Sequence, residues 1–464
     1  MSAAFERLAA GAIARRRSFG LKERRAALEA LRAAIGAHES AILAALKADL
    51  GKPEAETRLT EILPIQSEIS HTLRHLRGWM RVRRVRPTLA MLGTRARIRP
   101  EPKGTALIIA PWNYPLSLAL GPLVSALAAG CAAVIKPSEL APATAGVVAR
   151  IVADLPADLV AVEQGGVETA SALLALPFDH IFFTGSPEVG RVVMAAAAKT
   201  LASVTLELGG KSPVVIGPGA DLARAARMIA WGKFANAGQT CIAPDHVFVP
   251  RAQEGALIAA LRAEITRMYG AEPKASGSFA RIINARHFAR LAGLVDEARL
   301  KGAEVAVGGT ADAQARYLAP TILTRTSAEM GVEQTELFGP ILPVIGYDRL
   351  EEVLERINAG PKPLALYVFE KERTFIERVC AETSSGAVGI NVTLAHYLHL
   401  NLPFGGIGNS GLGAAHGIWG FRAFSHEKPV LENRFAPLGN FMPPYSGGKL
   451  KLIRAMAKLL GRIG

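Results

Sequence analysis

The chain has 464 residues, more than one hydrophobic core usually supports, so two large domains with some minor element are expected. Half of the residues are hydrophobic and only 6% aromatic, which excludes a disordered chain and leaves a core built from Ala, Leu, Val and Ile. The net charge of +14 is unevenly spread: residues 1–100 carry 20 Lys and Arg against 9 Asp and Glu, and from Asn433 onward there are six basic residues and no acidic one. Neither zinc-finger spacing nor an RNP-type aromatic motif accompanies that charge, so no nucleic-acid partner is expected; solvated faces or a membrane surface remain.

The three cysteines, Cys131, Cys241 and Cys380, are far apart and odd in number, which speaks against a disulfide framework and a structural zinc site. The N-terminus lacks the continuous apolar stretch of a secretory signal, so the cytoplasm, or the inner face of its membrane, is the expected location. Residues 104–135 are uncharged and long enough to span a bilayer. Pro111, Asn113, Pro115, Gly121 and Pro122 interrupt the run, which divides more naturally into strand, turn, helix and strand.

In chain order, residues 1–80 read as helices, with Leu28, Leu31, Ile35, Ile42, Leu46 and Leu50 at helical spacing. Residues 81–100 alternate basic and apolar side chains, as an extended arm or edge ribbon would. From Gly104 the texture becomes α/β. Strands are predicted over 106–110, 132–136, 158–165 and 180–185, with a helix over 122–130, and the alternation argues for a doubly wound parallel sheet. A second α/β run starts near Glu207 and passes Tyr367-Val-Phe369. At 100° per residue the tail 449–464 places Arg454, Lys458 and Arg462 opposite Leu452, Met456, Leu459, Leu460 and Ile463. Such a basic amphipathic helix is too short and too charged to span; it suits a peripheral membrane anchor or a helix docked on its own dimer.

Several segments could carry chemistry. HIFFTGSPEVG (180–190) reads strand, glycine turn, helix; Gly185 and Gly190 bracket the turn, and the N–H groups of the helix start suit a pyrophosphate, as does Ser186. A plain βα turn is the competing reading. A formal GxGxxG at Gly406–Gly411 is a decoy, because no apolar strand leads into it. Lys136 and Glu139 follow a strand end, where ribose hydroxyls could be met. Cys241 sits among small residues, where nearby N–H groups or a cation would raise its thiolate fraction. Glu207, between Leu206 and Leu208, is an acid in an apolar setting, where desolvation would raise its pKa toward that of a general base. Asn113, between Trp112 and Tyr114, offers an amide donor suited to an oxyanion. Each alone has an ordinary structural reading; together the three form a candidate acyl-transfer set.

PWNYP (111–115), AVIKPSE (133–139), FTGSPEVG (183–190), LELGGKSP (206–213), GQTCIAPD (238–245), ELFGP (336–340) and LPFGGIGNSG (402–411) together resemble the aldehyde dehydrogenase superfamily over nearly the whole chain. ARIIN (280–284), KPLALYVF (362–369) and PPYSGGK (443–449) resemble its class 3 branch, which includes fatty aldehyde dehydrogenases. The resemblance implies an α/β fold of two doubly wound Rossmann-like domains plus a small oligomerisation arm. The NAD(P)-binding domain would comprise 1–80 and 101–206 and the catalytic domain 207–410. Bridging strands would lie at 81–100 and 424–435, and the basic helix at 447–464. It implies an aldehyde substrate, long-chain aliphatic or aromatic, oxidised to an acid through a thiohemiacetal and thioester on Cys241. Asn113 and the Cys241 N–H would hold the oxyanion, and Glu207, 34 residues before Cys241, would activate water. The implied cofactor site comprises Trp112, Lys136, Ser138, Glu139, Gly185, Ser186, Gly190, Leu208, Gly209, Glu336 and Phe338. Lys136 and Glu139 would meet the adenine ribose and Glu336 the nicotinamide ribose, with Phe338 packed by the nicotinamide.

Many family members carry a Lys soon after the PWNxP motif; here none occurs between Asn113 and Lys136. A Glu at 139 should repel a 2′-phosphate, so NAD is the expected cofactor, with NADP the alternative because class 3 relatives use both. No metal is required, and His396 and His399 are read as pocket wall or ordinary structure. A homodimer is expected. The rival readings are a CoA-acylating semialdehyde dehydrogenase, disfavoured by the retained Glu207, and a non-catalytic binding protein on the same fold.

Overall fold

The computed structural model describes residues 2–436 and 438–461. Packing divides them into a large unit, up to Leu76 and from Pro102 to Ser425, and a small one, Arg77–Glu101 with the residues from His426 on.

The large unit holds two sheets. The first has six strands in the order β17-β7-β6-β3-β4-β5, where β3 is Thr105–Ile109, β4 Ala132–Lys136, β5 Val160–Val162, β6 His180–Thr184, β7 Ser203–Glu207 and β17 Gly411–Leu412. All neighbours are parallel except β17, which runs antiparallel to β7. Every residue of β3, β4 and β6 is buried, as expected where helices cover both faces of a parallel sheet. Each fully buried Val, Ile or Leu there contributes about 1.5–3 kcal/mol by leaving water. The chain runs from β3 outward through β4 and β5, then returns to β6 and β7 on the other side of β3. The direction therefore reverses between β3 and β6, the position where doubly wound sheets open a crevice at the carboxyl ends of their strands.

The second sheet has seven strands in the order β10-β13-β14-β9-β8-β15-β16: β8 Pro213–Ile216, β9 His246–Pro250, β10 Glu304–Val307, β13 Thr321–Thr324, β14 Ile341–Tyr347, β15 Ala365–Phe369 and β16 Ala387–Ile390. A two-stranded ladder, β11 (Ala311–Asp312) and β12 (Tyr317–Leu318), lies outside both sheets. Separate apolar clusters pack against the sheets, one around Leu107, Val134 and Phe183 and another around Val214, Phe234 and Val247.

The helix expected over 122–130 begins earlier, at Ser117, and runs to Ala129 with Pro122 inside it. Proline forfeits one backbone hydrogen bond, yet all but Leu118 and Gly121 of this helix are buried, and that burial outweighs the loss. The strand expected over 158–165 is confined to Val160–Val162, because Gly165 and Gly166 turn the chain into the next helix.

In the small unit, β1 (Arg83–Val85) lies antiparallel to β2 (Thr94–Pro102), and β18 (Ser425–Asn433) takes the far side of β2. The alternation read in the sequence is the pleat of β2: Arg95, Arg97 and Arg99 are exposed while Ala96 and Ile98 are half-buried. The tail forms the helix Gly447–Leu460, capped by Ser446, with no buried residue and with Leu450, Leu452, Leu459 and Leu460 exposed. Arg462 and Ile463, which the sequence assigned to its two faces, lie outside the described residues. No helix among the described residues is long and apolar enough to cross a membrane.

Candidate active site

Four strands of the first sheet end at the same edge, and each delivers a candidate segment: β3 to Trp112 and Asn113, β4 to Lys136–Glu139, β6 to Gly185 and Ser186, and β7 to Glu207–Gly209. Glu207 is the last residue of β7, in register with Thr184 on β6 and Gly411 on β17. The glycine turn Gly406–Gly411 therefore braces β7: the Ser410 carbonyl accepts the Leu208 N–H.

Cys241 lies between the helix Leu222–Phe234 and β9, after a turn in which Asn236, Ala237 and Gly238 all have positive φ. Such backbone costs about 1–3 kcal/mol for each non-glycine residue and persists only where its surroundings enforce it. Here Gln239 does so: its side-chain amide donates to the Asn236 and Arg281 carbonyls (2.9 and 3.0 Å) and accepts from Ile283 N–H (3.0 Å). Gly238 is needed for space as well, since a Cβ there would fall 2.3 Å from the Gly339 carbonyl oxygen.

Two cavities meet at Cys241. A tunnel of about 300 Å³ is walled by Leu59, Leu63, Leu118, Trp231, Leu398 and Phe404 among other residues. A polar cleft of about 770 Å³ is lined by Trp112, Asn113, Gly185, Ser186, Leu208, Gly209, Lys211, Glu336 and Phe338 among others. Cys241, Glu207 and Thr184 border both. The structure thus gathers the three predicted catalytic residues, with Asn113 on the cleft side.

Glu207 is buried, and both of its carboxylate oxygens lack a protein partner; burial raises its pKa well above the usual carboxylate value. Cys241 departs from the expected raised thiolate fraction. Burial pushes its thiol up to about 12, Glu336 and Glu207 add to the shift, and the N–H groups of Cys241 and Ile242 only partly offset it. Its resting state is therefore held toward the thiol. The Asn113 side chain donates one N–H to the Gln239 carbonyl (3.0 Å), and an amide has two, so the second remains for a ligand.

In the cleft, Glu336 is half-buried and raised to about 8 by desolvation while it accepts the Gly210 N–H. A Cβ at Gly209 would fall 2.4 Å from its carboxylate, so this position admits the acid only as glycine. Phe338, at φ 47°, sets its ring edge-on to Trp112 at 5.3 Å. The segment carrying both residues is tied down: Lys211 pairs with buried Asp245 (2.5 Å) and donates to the Val332 and Thr335 carbonyls, while Asp245 accepts the Leu337 N–H. A pocketed acid able to grip a hydroxyl pair, an aromatic edge and the N-terminus of the helix Pro187–Thr200, which Ser186 caps at the Val189 N–H, fit a nicotinamide dinucleotide.

Four predicted cofactor residues do not border this cleft. Lys136 and Glu139 pair with each other (2.5 Å), and Ser138 caps its own turn through the Leu140 N–H. Gly190 is a packing glycine, where a Cβ would meet the Leu208 side chain at 2.8 Å. Ser186 borders the cleft, but its hydroxyl oxygen already accepts the Val189 N–H of its own helix (3.4 Å).

Sequence reasoning passed over the aromatic wall of the tunnel beyond residue 404, where His416 stacks on Phe404 and meets Tyr397 edge-on. It also passed over Tyr114, bonded to Thr240 at 2.6 Å, and Lys52 with Glu61, buried behind Asn113. His396 lies 6.1 Å from Phe404, ring to ring, while His399 is exposed. Among the described residues no group of three His, Cys, Asp or Glu side chains could hold a metal ion.

The family model described as "Aldehyde dehydrogenase family" matches residues 3–430. The chain is 41% identical to 4,4'-diaponeurosporen-aldehyde dehydrogenase of Staphylococcus aureus over 94% of both chains. It is 45% identical to mouse aldehyde dehydrogenase family 3 member A2 over 89% of this chain and 85% of that one. It is 44% identical to a canine "Aldehyde dehydrogenase, dimeric NADP-preferring", over 87% of this chain and 88% of the other. A solved structure of Staphylococcus aureus AldH in its substrate-bound state superposes with a TM-score of 0.93 at 40% identity, covering 98% of each chain.

Proposed function

Because the chain belongs to the aldehyde dehydrogenase family and oxidises an aldehyde to a carboxylic acid with NAD or NADP, we propose that Cys241, Glu207 and Asn113 carry that reaction and that the tunnel selects a long apolar substrate. The observation that carries this reading is the position of Cys241 and Glu207 at the junction of an apolar tunnel and a polar cleft.

An aldehyde entering through the tunnel presents its carbon to the Cys241 sulfur. The thiol gives its proton to water, and attack by the thiolate on the carbonyl carbon forms a thiohemiacetal whose oxyanion lies by the free Asn113 N–H and the Cys241 backbone N–H. Glu336, Trp112 and Phe338 would hold the nicotinamide cofactor in the cleft, where it would supply the hydride acceptor. Loss of hydride leaves a thioester on Cys241. Glu207 then takes a proton from water as the water attacks the thioester, releasing the acid. Its raised pKa and unpartnered oxygens suit that step, because a desolvated carboxylate is a stronger base. The first sheet with its cleft serves as the NAD(P)-binding domain, and the second sheet carries Cys241.

Long-chain aliphatic aldehydes fit the tunnel best, with aromatic aldehydes next, since Glu68 and Glu207 are the only carboxylates on its wall. The cofactor is NAD or NADP; Glu139, paired with Lys136 outside the lining of the cleft, gives no repulsion that selects between them. The dimer is assigned to the β1–β2–β18 arm, in keeping with the canine relative named as dimeric. The exposed basic helix Gly447–Leu460 suits peripheral contact with the inner face of a membrane, which agrees with a cytoplasmic site of action and with lipid-derived substrates.

The test is NADH formation with a panel of aldehydes, in wild type and Cys241→Ala. The variant is expected to lose activity; undiminished turnover would overturn the mechanism.

A further inference from the structure

Behind Asn113, on the side away from the cleft, a buried ion pair occupies the N-terminal helical region. Lys52 and Glu61 have no side-chain exposure and meet at 2.6 Å. Neither group borders either cavity. A pair so deeply desolvated rarely stabilises a fold more than apolar side chains of the same volume would, so its contacts repay attention.

Glu61 reaches the start of the helix Ser117–Ala129, where its carboxylate accepts the Leu116 and Ser117 N–H groups (3.2 and 3.0 Å). That is a fixed anion at a helix N-terminus. Lys52, besides holding Glu61, donates to the Asn113 carbonyl oxygen at 3.2 Å and lies over the Tyr114 ring at 4.2 Å. The same carbonyl accepts from the Asn236 side chain (2.8 Å), and the Asn236 N–H is held by Glu56 (2.8 Å). The pair therefore grips the segment 113–117 at both ends. Glu61 lies in a π-helical segment, Arg58–Ile62, between α-helices; such local widening recurs at functional sites.

The consequence falls on one side chain. The Asn113 carbonyl is fixed by Lys52 and Asn236, and its amide by the Gln239 carbonyl three residues after Asn236. With both ends fixed, the remaining N–H of Asn113 has a single direction. We propose that Lys52 and Glu61 are positioning residues for the oxyanion donor, setting the direction of the free Asn113 N–H against the Cys241 sulfur's carbonyl adduct. This rests on the reading of Asn113 as that donor. Oxyanion stabilisation depends on donors held in place before the charge develops, and loss of one donor costs about 100–1000-fold in rate. Loosening a donor should cost less than removing it.

The experiment uses the full chain and two reactions at Cys241: NADH formation from an aldehyde, and cofactor-free hydrolysis of p-nitrophenyl acetate, which forms an oxyanion at the same thiol. Lys52→Met alone leaves Glu61 buried and unpaired and risks misfolding, so the main variant is Lys52→Met/Glu61→Gln, which removes both charges. The double variant is expected to lose about 10–100-fold in kcat in both reactions, with the Kd for NAD, from nucleotide fluorescence titration, within about twofold of wild type. Combined with Asn113→Ala, the pair should add less than about threefold, since the group it orients is gone. Wild-type kcat in a folded double variant, or a full 10–100-fold loss added on top of Asn113→Ala, would overturn the inference. Full activity in Asn113→Ala alone would instead overturn the role given to Asn113.

Discussion

Cys241 and Glu207 share the junction of tunnel and cleft, and burial shifts both toward their protonated forms, each lacking a neighbouring cation that would reverse the shift. The roles proposed for the two groups can be separated by what happens after hydride loss, when the ionised form of Glu207 would accept the proton of water. Glu207→Gln keeps the shape and removes the base. It is expected to give a burst of NADH near one per active site, followed by turnover lowered about 100–10,000-fold. Stopped-flow absorbance reads both phases; steady turnover at the wild-type rate would remove Glu207 from the mechanism.

Gly209→Ala places a methyl group 2.4 Å from the Glu336 carboxylate and must displace it. The expected result is at least about a tenfold rise in the Kd for NAD, with cofactor-free ester hydrolysis unchanged. Gly190→Ala meets only the movable end of the Leu208 side chain and should cost much less. Equal effects of the two on NAD binding would contradict this account of the cleft.

Gly121 lies on the tunnel wall, and a Cβ there meets nothing within 4 Å. Gly121→Leu therefore fits without backbone strain and fills tunnel volume, while it improves helix propensity by up to about 1 kcal/mol. Long-chain aldehydes are expected to lose at least about tenfold in kcat/KM while propanal is nearly unaffected. A uniform loss across chain lengths would remove the tunnel as the site of selection.

Glu68, buried and bonded to the Gly417 N–H, is raised to about 7 by desolvation. The folded protein thus holds a proton that the unfolded chain, at an ordinary 4.5, releases. Stability from this group is complete below that ordinary value and is lost as the pH rises through about 7. Between about pH 5 and 8, wild type should lose more Tm than Glu68→Gln, whose side chain does not titrate. Parallel Tm curves for the two proteins would show that Glu68 is not the titrating group.

Removal of residues 447–464 is expected to abolish sedimentation with vesicles of phosphatidylcholine and phosphatidylserine, and high salt should weaken the binding of the intact chain. An intact chain that ignores such vesicles would end the case for membrane contact.

The parallel strands were legible because burial on both faces writes continuous apolar runs such as Thr105–Ile109 and Ala132–Lys136. The segments that carry Cys241, Glu207 and Asn113 were legible because their motifs are long. What stayed hidden depends on partners distant in sequence. Lys52 and Glu61 look like any solvated pair on a helix until Asn113, more than fifty residues away, closes over them. Lys136 and Glu139 were each assigned to a ribose, yet three residues apart they are close enough to pair with each other. Nearby N–H groups or a cation would raise the thiolate fraction of Cys241, but a motif does not register how far burial, Glu336 and Glu207 oppose this.

A thiol that burial, Glu336 and Glu207 all hold toward its protonated form is a poor nucleophile at rest. Peroxides and alkylating agents attack the thiolate, so an enzyme whose substrates are themselves electrophiles keeps its sulfur chemically quiet between turnovers.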